Sequence, residues 1–325
     1  MRLKSMLCLL AVLTIIHIYG CINESGGNYR WEVQAETNVW LSDIYALDED
    51  HVWAVSIDGK IFYGNGSNWT LQFETEATRF NSVAAVDSAN VWAVGENPDG
   101  EGTIFRYDGT SWSELFCTQE SLSKVSILDA SHIWAIGNNA HDGGVIYFYD
   151  GKSLFRQYES GDRLSDIDVL DEKNAWAIVS VGEDRSKLLF YNGNTWEVRY
   201  EGDEPLRKLS AVSEKEIWIL GNNSSSRTGG VYLFDRMSMK NKFAYEDGFL
   251  RSICTQDSQH IWVVGDAKIE STKPPKSNIL FSNGELFSIE HVADQLLTAV
   301  HAANNHVIWA VGTYGLIYQG TLASD

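Results

Sequence analysis

Apolar residues in this chain come in short runs separated by turns rich in Asp, Asn and Gly, and one run returns seven times. It reads "HVWAV" at 51–55, "VWAVG" at 91–95, "IWAIG" at 133–137, "AWAIV" at 175–179, "IWILG" at 217–221, "IWVVG" at 261–265 and "IWAVG" at 308–312. Runs this short, β-branched and aromatic in character and bounded by turn residues, predict strands rather than helices. Around each run the same unit recurs: an apolar strand such as "LSDIYAL", a turn such as "DEDH", the Trp strand, a variable loop, a strand ending in "YDG" or "YNG", and a Trp-led strand such as "WTLQFE".

The seven tryptophans, Trp53, Trp92, Trp134, Trp176, Trp218, Trp262 and Trp309, are spaced 39, 42, 42, 42, 44 and 47 residues apart. Four short strands repeated at this period make one blade of a propeller, so the fold class is all-β, a seven-bladed β-propeller. The last unit stops after "GLIYQGTLASD" without a Trp-led fourth strand, while an orphan one, "YRWEVQ", stands around Trp31. The N-terminal strand is therefore expected to complete the seventh blade and remove the free edge.

This register assigns the prominent residues to scaffolding. Alternation along each strand puts the Trp on one face and Ile or Val on the other, as expected of blades covered on both sides. Five residues before the Trp stand Asp48, Asp87, Asp129, Asp171 and Asp257, and two before it His51, Asn90, His132, Asn174 and His260. This pattern predicts hairpin turns, with Asp bonding its own turn and the Asn or His in left-handed backbone. His306 falls near the equivalent turn of the last unit.

The ends and the charge place the chain. Arg2 and Lys4 precede an apolar stretch from Met6 to Tyr19 and then "IYGC", which reads as a signal peptide over 1–20. The "IYGC" segment resembles the lipobox of prokaryotic lipoproteins, which implies lipidation of Cys21, a linker over 21–28, a single propeller over 29–325, and attachment to the outer side of a membrane. A plain secretory signal or an uncleaved anchor is the alternative. Without residues 1–20 the chain holds 23 Lys and Arg against 44 Asp and Glu, a net charge of −21. That disfavours nucleic acid as a partner. Cys117 and Cys254 fall on different strands of the second and sixth units, so no disulfide or CxxC metal pair is expected. No metal site and no cofactor is expected, and the chain reads as a monomer.

With these residues and motifs, the sequence resembles the secreted seven-bladed propellers of the WD40, YVTN and BNR type, a group that includes the photosystem II assembly factor family. The resemblance covers nearly the whole chain after Cys21 and implies architecture more than activity. "YDGTSW" (107–112) and "YNGNTW" (191–196) partly match the BNR Asp-box, but Tyr107 and Tyr191 stand where its Asp belongs, which argues against a sialidase-like assignment. "GGVIYFYDG" (143–151) shares the residue order of kelch propellers at a shorter period. There is no GxSxG, HExxH, P-loop or calcium-loop pattern.

Function is expected on the face that carries the variable loops, such as 95–103, 137–144, 179–187, 221–230 and 265–278. At the start of each first strand the acidic chain turns basic: Arg79, Lys124, Arg163, Arg207, Lys208 and Arg251, with Trp40 leading the first unit. These seven are the candidate ligand-binding residues, for a protein segment or an anionic or carbohydrate ligand. The plain alternative is that they pair with Asp and Glu of neighbouring blades. Asp43, Tyr45, Asp166, Asp168 and His301 occupy alternating positions expected to face the channel. The function expected is thus a membrane-anchored binding or assembly module, with no catalytic residues assigned. The alternative is an extracellular hydrolase or lyase acting on sugars.

Overall fold

The computed structural model of the chain describes residues 28–141, 143–246, 248–268 and 275–323. Cys21 and the leader expected before it lie outside the described residues. The hairpin-forming turns join the strands into seven four-stranded antiparallel sheets, with no helix among the described residues. Each is one blade. Its innermost strand is the first in sequence, from Leu41–Ala46 in the first blade to Leu297–Ala302 in the seventh.

The seventh sheet closes as expected. Tyr29–Glu36 lies antiparallel to Leu316–Leu322 with Trp31 opposite Gly320, and becomes the outer strand of a blade otherwise built from the C-terminus. Tyr29 and Trp31 meet Trp262 of the sixth blade edge to face, with centroids 4.7 and 5.7 Å apart. The N-terminal strand therefore completes a sheet and a blade-to-blade junction together.

The repeated tryptophans carry those junctions. All seven are among the largest fully buried side chains. Trp92 packs on Val125, Ile133 and Ala135 of the third blade, Trp176 on Leu209, Ile217 and Phe234 of the fifth, and Trp309 on Ile44, Val52 and Phe62 of the first. Burial of an indole contributes a few kcal/mol, so the seven together dominate the cohesion of the ring. The Gly that ends several of these strands has its own cause. A Cβ on Gly95 would lie 1.9 Å from the carbonyl oxygen of Arg79, so only glycine lets the second strand approach the start of the first.

The turns between first and second strands differ from expectation in one respect. Asp48, Asp87, Asp129, Asp171 and Asp257 each accept the backbone N–H two residues on, at 2.8–2.9 Å. Ser213 and Asn304 do the same in the fifth and seventh blades. The Asn or His that follows is not left-handed: the non-glycine residues with positive φ among those described are Asn38, Arg227 and Arg236. Instead its side chain returns to the Asp. His51 Nδ1 lies 2.8 Å from Asp48, His132 Nδ1 2.9 Å from Asp129, and Asn90 Nδ2 2.9 Å from Asp87. A turn with both central residues in the right-handed region needs no positive φ, and the Asn or His closes it by a second bond. The N–H of Ala89, followed by the Asn90 amide, lowers the Asp87 carboxyl below the usual range.

Candidate functional site

Strand geometry decides which candidate residues meet the channel. Each first strand carries a bulge just inside its start: in the first blade Leu41 pairs with Ser56 but Asp43 with Val55, leaving Ser42 unpaired. The bulge recurs at the corresponding place in all seven blades. An extra residue resets the alternation, so positions on either side of the bulge no longer share a face. The seven candidates therefore divide into three groups rather than forming one ring.

Trp40, Arg79 and Arg163 precede the bulge, on the rim where the variable loops gather. The N–H of Ile57 bonding the carbonyl of Trp40, and that of Asp266 bonding Phe249, show that the loops and the blade-to-blade links share this end. Trp40 is 46% exposed, and the Arg79 side chain 58%, with Glu96 4.0 Å away. Arg163 is exposed. Arg207 and Arg251 occupy the bulge itself and are held by the rim. Arg207 donates to Ser180 Oγ at 2.8 Å and to the Glu183 carbonyl at 2.9 Å, both in the preceding blade. Arg251 forks onto buried Asp266 at 2.9 and 3.0 Å and covers Phe249. Lys124 and Lys208 follow the bulge: Lys124 meets Asp43 at 3.2 Å and Lys208 lies 3.9 Å from Asp166.

Beyond the bulge the channel holds a cavity of about 350 Å³, and of the seven candidates only Lys124 lines it. Asp43, Tyr45, Asp168 and His301 line it as expected, joined by Ser126, Ser210, Ser252 and Cys254. The last four were not singled out in the sequence, although they stand in the same columns, ten and eight residues before each Trp. Nine of the fourteen positions in those columns hold hydrogen-bond acceptors, for a common reason. The innermost strand is a sheet edge, and its inward N–H groups have no strand to bond. Each seam supplies an acceptor from the preceding blade. Asp43 Oδ2 takes the N–H of Val83, Ser82 Oγ that of Val125, Ser126 Oγ that of Val169, and Asp166 and Asp168 those of Leu209 and Ala211. Ser210 takes Thr255, Ser252 takes Val300, Cys254 Sγ takes Ala302, and His301 Nδ1 takes Ala46 across the closing seam. All seven seams are stitched this way.

Burial tunes these groups. Desolvation first, and then the charge of Asp166, pushes Asp168 up to about 6, against the N–H of Ala211. Desolvation, followed by the Lys124 ammonium, brings His301 down to about 4, which keeps it neutral. Because His301 Nδ1 accepts a hydrogen bond, its proton sits on Nε2. Cys254 is buried and Cys117 exposed; both are free thiols, and desolvation raises Cys254 to about 11. No group of three or more His, Cys, Asp or Glu suited to a metal ion occurs among the described residues.

No protein-family model matches the sequence, and no curated protein does. Solved structures do. The chain superposes on "YCF48 bound to D1 peptide" with a TM-score of 0.68 and 16% identity, covering 91% of this chain and 97% of that one. The WD40 β-propeller domain of Doa1 gives 0.66 and 16%, over 91% and 98%. The GH74 enzyme of Niastella koreensis gives 0.68 and 12%, over 89% of this chain and 53% of that one. The chain is a seven-bladed propeller with WD40 and YCF48 structures among its neighbours, and at these identities the likeness is one of fold.

Proposed function

We propose that the protein is a recognition module, anchored outside the cytoplasm by a lipid on Cys21, whose loop face holds a protein segment or an anionic group. The observation that carries this reading is the separation of roles along the first strands. The channel acceptors hold the blades together, while Trp40, Arg79 and Arg163 stand exposed around the loop-face rim. An exposed indole and exposed guanidinium groups spread along one rim suit an extended acidic or carboxylate-bearing segment, and indole and guanidinium are the side chains that most often dominate an interface. The peptide-bound propeller among the structural neighbours supports protein binding as a use of this scaffold. Hydrolysis of a sugar would require two carboxyl groups flanking the scissile bond. Asp43, Asp166 and Asp168 each accept a backbone N–H from the next blade, which leaves them poorly placed for that chemistry.

The test is capture from native membranes. Wild type should retain a partner that the Trp40→Ala, Arg79→Ala, Arg163→Ala triple variant loses at an unchanged melting temperature. Cys21→Ser should move the protein from the membrane to the soluble fraction. A triple variant that retains the partner at moderate salt would refute the rim, and a membrane-bound Cys21→Ser at mature size would refute the anchor.

A further inference from the structure

The cavity lies in the half of the channel away from the variable loops. Its lining runs from Asp43 and Lys124 at the inner end to Leu170 and Gln256 beside the turns of the opposite face. A count of donors and acceptors shows an imbalance there. Asp168, Ser126, Ser210, Cys254 and the Nδ1 of His301 already accept backbone N–H groups. Several donors remain, and three of them converge. Lys124 has three N–H bonds, of which one meets an acceptor, Asp43. The Nε2–H of His301 and the hydroxyl of Tyr45 meet none among the described residues. These groups come from the third, seventh and first blades, yet the Tyr45 and His301 rings are 4.3 Å apart, and the Lys124 charge acts on both.

We propose that this cavity binds a small organic carboxylate, entering from the turn face, whose oxygens accept hydrogen bonds from Lys124, Tyr45 and His301. The apolar part of the ligand lies against Ile127, Val169 and Leu170, which line the outer half. The cavity has the size of a small-molecule site, and its wall is largely polar with an apolar patch at the outer half, which suits a small ligand with a charged head. The charges lining the site are Asp43 and Asp168 against Lys124, with Asp166 and Lys208 close to each other just outside the lining and Tyr45, Cys254 and His301 neutral. A carboxylate therefore enters a site of charge −1 at neutral pH and of charge near zero once Asp168 is protonated. Binding takes up a proton at Asp168 and strengthens as pH falls towards 6.

The experiment is calorimetric titration of the full chain with benzoate at pH 6 and pH 7.5, with benzamide and methylammonium as controls. Expected are saturable benzoate binding, several-fold tighter at pH 6, and benzamide weaker by about tenfold because it lacks the charge that Lys124 meets. Lys124→Met should abolish binding. Since that change leaves Asp43 uncompensated and could unfold the ring, Tyr45→Phe serves as the second variant and should weaken binding several-fold at an unchanged melting temperature. The proposal is overturned by absence of saturation at pH 6, by benzamide or methylammonium binding as well as benzoate, or by benzoate binding unchanged in Tyr45→Phe.

Discussion

The two faces of the ring differ in how regularly they repeat. On the turn face every blade repeats one device: the residue five before the Trp, whether Asp, Ser or Asn, accepts the N–H two positions on. The turns between third and fourth strands repeat another, with Asn65, Asp108, Asp150, Asn192, Asp235 and Asn283 each accepting two successive N–H groups. On the loop face repetition is partial: Asn97 and Asn139 organise their loops alike, each accepting the N–H groups two and four residues on, and Asn138 and Asn222 each bond both backbone groups of the next blade's first Leu. The loops themselves differ in length and sequence, and Arg207 and Arg251, at the same strand position, tie themselves to different partners. Repetition marks what holds the ring, and variation marks where the surface is available for recognition.

The largest effect should come from a change that opens the seam shared by both faces. Removing residues 28–36 deletes the outer strand of the seventh blade and uncovers Trp262. The melting temperature should fall by about 10 °C or more, read by near-UV circular dichroism. An unchanged transition would mean that the N-terminal strand does not close the ring.

A smaller loss is expected from the turn face alone. Gly109 has φ of 91°, and a Cβ there would meet Ala89 at 2.8 Å. Gly109→Ala should cost about 1–2 kcal/mol in chemical denaturation, with loop-face binding intact. A neutral result would show that the turns tolerate variation and that repetition there has no structural cause.

The channel acceptors between the faces give a pH signature. In the unfolded chain Asp168 has an ordinary carboxyl pKa near 4, and in the folded ring it is raised to about 6. The folded state thus holds a proton that the unfolded state has released, so this contribution is present below pH 4 and is lost as pH rises to 6. Asp168→Asn keeps an acceptor for Ala211 and removes the titration. Its stability relative to wild type should increase between pH 4 and pH 7 by on the order of 1 kcal/mol, in paired melts across that range. A constant difference would contradict the burial of this carboxylate.

The smallest effect belongs to the loop face. Four Gly and Ser residues inserted after Gly182, where a side chain would meet nothing within 4 Å, should change stability by less than about 0.5 kcal/mol. A large loss would make the loops part of the scaffold.

How much of this is legible in the sequence follows from the range of the interactions. Trp spacing, Asp-led turns and the missing fourth strand are local or periodic, and they define the blades, the closure and the role of the seven tryptophans. Lys124 pairs with Asp43 across 81 residues, and His301 with Ala46 across 255. The bulge before Asp43 recurs in every blade and resets the alternation, so the faces of Arg79, Arg207 and Lys124 cannot be read from a regular strand. Arg236, with φ of 71°, occupies the turn position where Gly109 and Gly151 stand, and is held there by Glu214 at 2.9 Å and by the face of Phe190, contacts that no local pattern announces.

The division between the faces is tested most directly by photo-cross-linking in native membranes. A photoreactive amino acid at Trp40 or Asp99 reports the loop face, and one at Ala130 the turn face. Cross-linked species of higher mass should arise from positions 40 and 99 and not from 130. Products from 130 alone, or equally from both faces, would contradict the assignment of recognition to the loop face.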